Sequence, residues 1–100
     1  MKIAFDLDKT YFAHPKLFDD IAFKFQSAEH QVGILTGRHE KEGAEVGFQP
    51  DFVIFMDCGD LSYIDRAYLK ADRMRRERID ILFDDRANLF PREVVVLKIV

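Results

Sequence analysis

The sequence holds a single cysteine, Cys58, so no intramolecular disulfide framework can staple it. Such scarcity fits a reducing compartment. No apolar run approaches the roughly 18–20 residues that a membrane span requires. The start, "MKIAFDLD", already carries two acids, Asp6 and Asp8, which is not the pattern of a secretory signal. A cytoplasmic, membrane-free protein is expected. Basic excess is also missing: 15 Lys and Arg stand against 18 Asp and Glu, for a net charge of -3. That balance argues against a general nucleic-acid binder, although a local basic patch is compatible with it. No repeat, low-complexity tract or linker divides the 100 residues, so a single domain is expected.

What the chain does have is a globular composition, 48% hydrophobic and 33% charged, with ten Phe among its aromatic residues. These suffice for a packed core. The apolar runs "KIAFDL", "QVGILT", "DFVIFM", "IDILF" and "EVVVLKIV" are short, near-continuous and rich in Val, Ile and Phe. Runs of that kind suit strands buried on both faces of a parallel sheet.

Helical segments alternate with them. Leu17, Phe18, Ile21, Ala22, Phe25 and Ala28 form one stripe between Lys16 and Glu29, with Pro15 suiting the helix start. A short helix is predicted from about His39 to Val46, ended by Gly47 and Pro50. A longer one is predicted from about Leu61 to Arg78, with Leu61, Ile64, Tyr68, Ala71 and Met74 on one face, and a last turn from Ala87 to Phe90. Strands alternating with helices predict an α/β fold: one Rossmann-like domain whose five-stranded, mainly parallel sheet carries helices on both faces.

In open parallel sheets the site lies beyond the carboxyl ends of the strands. The first run is followed by Asp6, Asp8 and Thr10, the second by Thr36, Gly37 and Arg38, and the fourth by Asp84, Asp85 and Arg86. The third leads only to Asp57, Cys58 and Gly59, a less distinctive group. Lys70 is the single Lys between residues 42 and 97. Asp6 and Asp8, two apart on an extended segment, would share a face. Like charges that close raise each other's pKa unless a cation lies between them.

The strings "IAFDLDKT", "VGILTGR", Lys70 and "ILFDD", in that order from residue 3 to residue 86, resemble the motifs of the haloacid dehalogenase superfamily. The resemblance implies a phosphomonoester hydrolase. Asp6 would be the nucleophile that forms an aspartyl phosphate, and Asp8 the general acid and base. Mg²⁺ would be held by Asp6, the main-chain carbonyl of Asp8 and an acid from Asp84 or Asp85. Thr36 and Gly37 would hold phosphate oxygens, with Thr10, Arg38 and Arg86 also expected on the substrate's phosphate. Lys70 would neutralise nucleophile and phosphate.

The stretches from Lys9 to Pro15 and from Asp57 to Asp60 leave no room for a cap domain. An open site would admit a small molecule or a nucleic-acid end, and a second copy in a homo-oligomer could close over it. "TGR" and "DDR" further resemble the 3′-phosphatase domain of phage polynucleotide kinase. Most of the family has Gly where this chain has Lys9, which is expected to turn in the right-handed region. Two alternatives stay open: a receiver-like phosphoacceptor, which would leave Asp8 and the late acid pair unexplained, and a catalytically silent binding module. The basic stretch from Arg73 to Arg78 reads as a solvated helix face or a docking patch for nucleic-acid phosphates, Cys58 as a small buried hydrophobe, and His14 as an incidental loop residue near the entrance.

Overall fold

Five strands, β1 (Lys2–Phe5), β2 (Gln31–Thr36), β3 (Val53–Phe55), β4 (Ile81–Phe83) and β5 (Val95–Leu97), make one sheet in the computed structural model, which describes residues 1–99. Their order is β3-β2-β1-β4-β5 and every pairing is parallel. The fifth apolar run therefore supplies a strand, while its last residue, Val100, lies outside the described residues. This is the strand order of a doubly wound, Rossmann-like sheet, which reverses direction at β1 and β4.

The central strand explains the layering. Ile3, Ala4 and Phe5 are all fully buried, and alternation along a strand sends neighbours to opposite faces. Ile3 and Phe5 join Val32 and Ile34 of β2 under α1 (Pro15–Ser27), which contributes Phe18 and Ala22. Ala4 faces the other way, with Leu35, Leu82 and Met74 of α2 (Tyr63–Glu77). Helices thus cover both faces. The Phe5 ring sits 4.8 Å from that of Phe18 and 5.7 Å from that of Phe83, in tilted and edge-on geometries that aromatic pairs favour.

Pro15 opens α1 at its first turn, where a missing N–H costs nothing. Ser62 caps α2 by accepting the Asp65 N–H at 3.1 Å. Arg78 closes the same helix in the left-handed region, at φ 57°.

Two expectations about helices are corrected. The face of α2 that packs inward is Ala67, Lys70, Ala71 and Met74, whereas Leu61, Ile64 and Tyr68 are exposed. Small Ala side chains let the helix lie close to the sheet, and this turns the larger residues outward. The predicted helix from His39 to Val46 shrinks to one 3-10 turn, Glu40–Glu42. His39 and Glu42 form a capping box, but Gly43, at φ 74°, leaves the helical region directly after it. Ala44, Val46 and Phe48 then pack on the core as loop residues. The predicted last turn is a 3-10 turn, Ala87–Leu89.

One glycine is required by packing: a Cβ on Gly33 in β2 would stand 2.4 Å from the Phe52 carbonyl oxygen. The connections that could have held a cap, residues 6–14 and 56–62, are short loops, so no cap domain is present among the described residues. No helix among the described residues is long and apolar enough to cross a membrane.

Candidate active site

β1 ends at Phe5, yet the ladder runs one residue further, because the Asp6 N–H donates to the Phe83 carbonyl at 2.9 Å. The chain then turns sharply. The N–H of Tyr11 reaches the Asp6 carbonyl, and that of Phe12 reaches the Leu7 carbonyl, each at 3.1 Å. Leu7 anchors this turn in the core. On the next strand Asp84 N–H donates to Leu97 O at 2.9 Å, which holds Asp84 beside Asp6 at the point where the strand order reverses.

Lys70 completes the centre from the buried face of α2. Only 7% of the residue is exposed. Its Nζ donates to Asp6 Oδ1 at 3.0 Å and to Asp84 Oδ2 at 2.8 Å. Asp6, Asp84 and Asp85 each offer a carboxylate oxygen within 4.8 Å of one another. Burial pushes the Asp6 carboxyl up to about 6; Lys70 opposes that shift, and Asp84 and Asp85 add to it. Burial alone would weaken the Lys70 ammonium, but Asp6 and Asp84 together hold its pKa above the ordinary lysine value. Three carboxylates against one ammonium leave a local charge of about -2, which matches a divalent cation. Hard carboxylate oxygens are the donors such an ion prefers.

Asp8 lies outside this cluster. Arg38 grips it with two bonds, Nη2 to Oδ1 at 2.7 Å and Nε to Oδ2 at 2.9 Å. The guanidinium holds the Asp8 carboxyl below its usual range. Arg38 also lies over the Phe12 ring, 5.2 Å from its centroid.

A cavity of about 390 Å³ opens above these groups, and Asp6, Asp8, Gly37, Arg38, Lys70, Asp84, Asp85 and Arg86 all line it. Two expected phosphate contacts do not. Thr36 is fully buried, with its hydroxyl accepting the Arg38 N–H at 3.2 Å, so it shapes the turn that presents Gly37 and Arg38. Thr10 is buried behind the acids. Its hydroxyl accepts the Asp85 N–H at 2.9 Å and faces Asp6 Oδ2 at 3.3 Å and Asp85 Oδ1 at 3.4 Å. It ties the first acidic turn to the second.

Several further residues reach the cavity without a signal in the sequence. Tyr63 and Arg66 begin α2, and Phe90 closes the turn after β4. Arg86 stacks on Tyr63 across 22 intervening positions, a contact that spacing along the chain cannot show. Lys9 also lines the cavity, and its φ of 62° lies in the left-handed region instead of the right-handed one expected. His14 is exposed at the start of α1 and lies off the main cavity, whereas Cys58 is buried as expected. In the basic stretch Arg73 pairs with Glu77 at 3.0 Å and Arg76 with Asp72 at 3.2 Å, as on a solvated helix face. Comparison with protein-family models, curated proteins and solved structures returned no match for this chain.

Proposed function

We propose that the chain is a magnesium-dependent phosphomonoester hydrolase of the haloacid dehalogenase type, working through a phosphoryl group carried on Asp6. The observation that carries the reading is Lys70, buried and bonded to both Asp6 and Asp84 at the carboxyl end of the sheet. Burying an ammonium with two carboxylates carries a desolvation cost, such charge clusters concentrate at functional sites, and the strand-order reversal is where such sheets bind ligands.

Asp6 attacks phosphorus, and the bond from phosphorus to the ester oxygen breaks. Asp8 gives that oxygen a proton, then takes one from the water that releases phosphate and regenerates Asp6. Mg²⁺ on Asp6 and Asp84 or Asp85 would screen the negative charge of the phosphoryl oxygens. Lys70 keeps the nucleophile oriented and partly neutralised.

Arg38 connects the substrate to Asp8. Arg38 holds Asp8, whose side chain is 60% exposed. An ion pair that exposed is worth about 0–1 kcal/mol, so a substrate phosphate displaces Asp8 from the guanidinium at little cost. The freed carboxyl can then carry the proton it must donate. The Gly37 backbone completes the phosphate contacts. An uncapped cavity admits the phosphate ends of small molecules and of nucleic acids, and a cytoplasmic setting agrees with a single, unpaired Cys58.

Phosphate release from a panel of nucleotides, sugar phosphates, phosphopeptides and 3′-phosphorylated oligonucleotides tests the reading. The expected result is turnover that requires Mg²⁺ and is lost in Asp6→Asn. Phosphorylation of Asp6 without turnover would identify a receiver instead, and no phosphorylation at all would identify a silent module.

A further inference from the structure

The cavity is larger than a phosphoryl group needs. Its volume of about 390 Å³ falls in the range of roughly 300–1,000 Å³ typical of sites that enclose a whole small molecule. The phosphoryl chemistry uses its floor. The wall at Tyr63, Arg86 and Phe90 lies outside that chemistry, and its composition differs: two aromatic rings and a guanidinium.

The Arg86 guanidinium carbon stands 3.4 Å from the centre of the Tyr63 ring, a stacking distance. Among the described residues the Arg86 side chain makes no hydrogen bond or ion pair, although Asp84, Asp85 and Asp57 line the same cavity. Its backbone N–H is fixed by Asp84 Oδ1 at 2.8 Å, so the residue is anchored at its main chain while its charge stays available. Tyr63 is 51% exposed, and the neighbouring Arg66 lies 5.4 Å from its centroid. Arg66 in turn is tied to the carbonyls of Leu61 and Gly59, at 3.0 and 2.5 Å, so it braces the loop and is not free for a ligand. A planar guanidinium 3.4 Å from the centre of a tyrosine ring presents a cationic face. Nucleobases stack on such surfaces, and every base has a π-face to offer.

We propose that Tyr63 and Arg86 form the leaving-group subsite, and that the leaving group carries a nucleobase, which makes nucleotides the substrate class. The proposal rests on the phosphohydrolase reading for the position of the phosphate. A sugar phosphate would leave this wall uncovered. A brace between α2 and the turn after β4 would require the same stack, but it would not select among ligands.

Titration calorimetry on the Asp6→Asn chain with Mg²⁺ present separates these cases, because binding is read without turnover. The probes are adenosine 5′-monophosphate, ribose 5-phosphate and phosphotyrosine. The first two share the phosphate and the sugar and differ in the base. The nucleotide is expected to bind at least about tenfold more tightly than ribose 5-phosphate. Tyr63→Ala and Arg86→Gln, each in that background and each checked for an unchanged circular dichroism spectrum, should reduce the preference to within about twofold, while Tyr63→Phe retains it. Equal binding of the two, or a preference that survives both substitutions, would overturn the subsite while leaving the hydrolase reading intact. Tightest binding by phosphotyrosine would overturn the nucleotide assignment. Binding of none of the three, together with no phosphate release by the parent chain, would overturn the hydrolase reading and the subsite with it.

Discussion

Replacing Lys70 by Met removes the ammonium while keeping a side chain of similar length. In the parent, Nζ touches Asp6 at 3.0 Å and Asp84 at 2.8 Å, with both carboxylates buried. Breaking a buried ion pair by deleting one partner costs about 3–5 kcal/mol. For a domain of this size each kcal/mol shifts the melting temperature by about 4–8 °C, so the fall is on the order of 15 °C or more.

The loss must depend on pH. Without Lys70, which opposes the shift, the folded-state pKa of Asp6 rises further above its unfolded value. A carboxyl group raised in this way contributes stability below its unfolded pKa, and that contribution is lost as pH rises through the folded pKa. The deficit of Lys70→Met is therefore smallest near about pH 4 and grows as pH rises past about 6. Thermal melts in chelator across that range measure it, and added Mg²⁺ should recover more stability in the variant than in the parent. A variant that melts within about 2 °C of the parent at high pH in chelator would refute the enclosure of Lys70 by the acids.

Other outcomes follow from single residues. With the Asp6 carboxyl raised from 3.8 to about 6, its contribution in metal-free protein is present below about pH 4 and disappears by about pH 7. The parent should therefore lose up to about 3 kcal/mol relative to Asp6→Asn across that window, as read by denaturant titration, and a gain would contradict the shift. Lys9, at φ 62°, is in a region that costs a non-glycine residue about 1–2 kcal/mol. Against glycine's extra chain entropy, Lys9→Gly should leave stability equal or raise it by up to about 1 kcal/mol; destabilisation would show that the Lys9 side chain holds the turn. Gly33→Ala drives a Cβ to 2.4 Å from a backbone oxygen, so β2 and β3 must separate. A loss of about 1–3 kcal/mol is expected in denaturant melts, and a neutral result would contradict the close approach.

The alternation of strands and helices was legible because Val, Ile and Phe cluster in short runs, and runs of this kind, set between helices, fit only a sheet covered on both sides. Asp6, Lys70, Asp84 and Asp85 were legible for a second reason: each stands where an element must end or face inward, and the sheet's topology brings those points together. The phase of α2 was legible only in part. Spacing puts Leu61, Ile64, Tyr68, Ala71 and Met74 on one stripe, and Ala71 and Met74 do pack inward, but Ala67 faces the sheet in place of the bulkier three because a small residue allows closer approach. Spacing rules weigh hydrophobicity and do not weigh bulk. The segment after β2 failed at Gly43, whose left-handed φ ends the turn that His39 and Glu42 start. Thr10 and Thr36 were placed at the site by position, but burial turned both hydroxyls to backbone N–H groups. The Tyr63–Arg86 stack joins residues far apart in sequence, so only the folded chain brings it into view.

The central claim is that Asp6 carries the phosphoryl group. Rapid acid quench during turnover, followed by peptide mass analysis, tests it directly. The account predicts a phosphoryl group on the peptide containing Asp6, released by hydroxylamine as an acyl phosphate is, and absent from Asp6→Asn. Turnover with no phosphorylated peptide, or with the group on another residue, would contradict it.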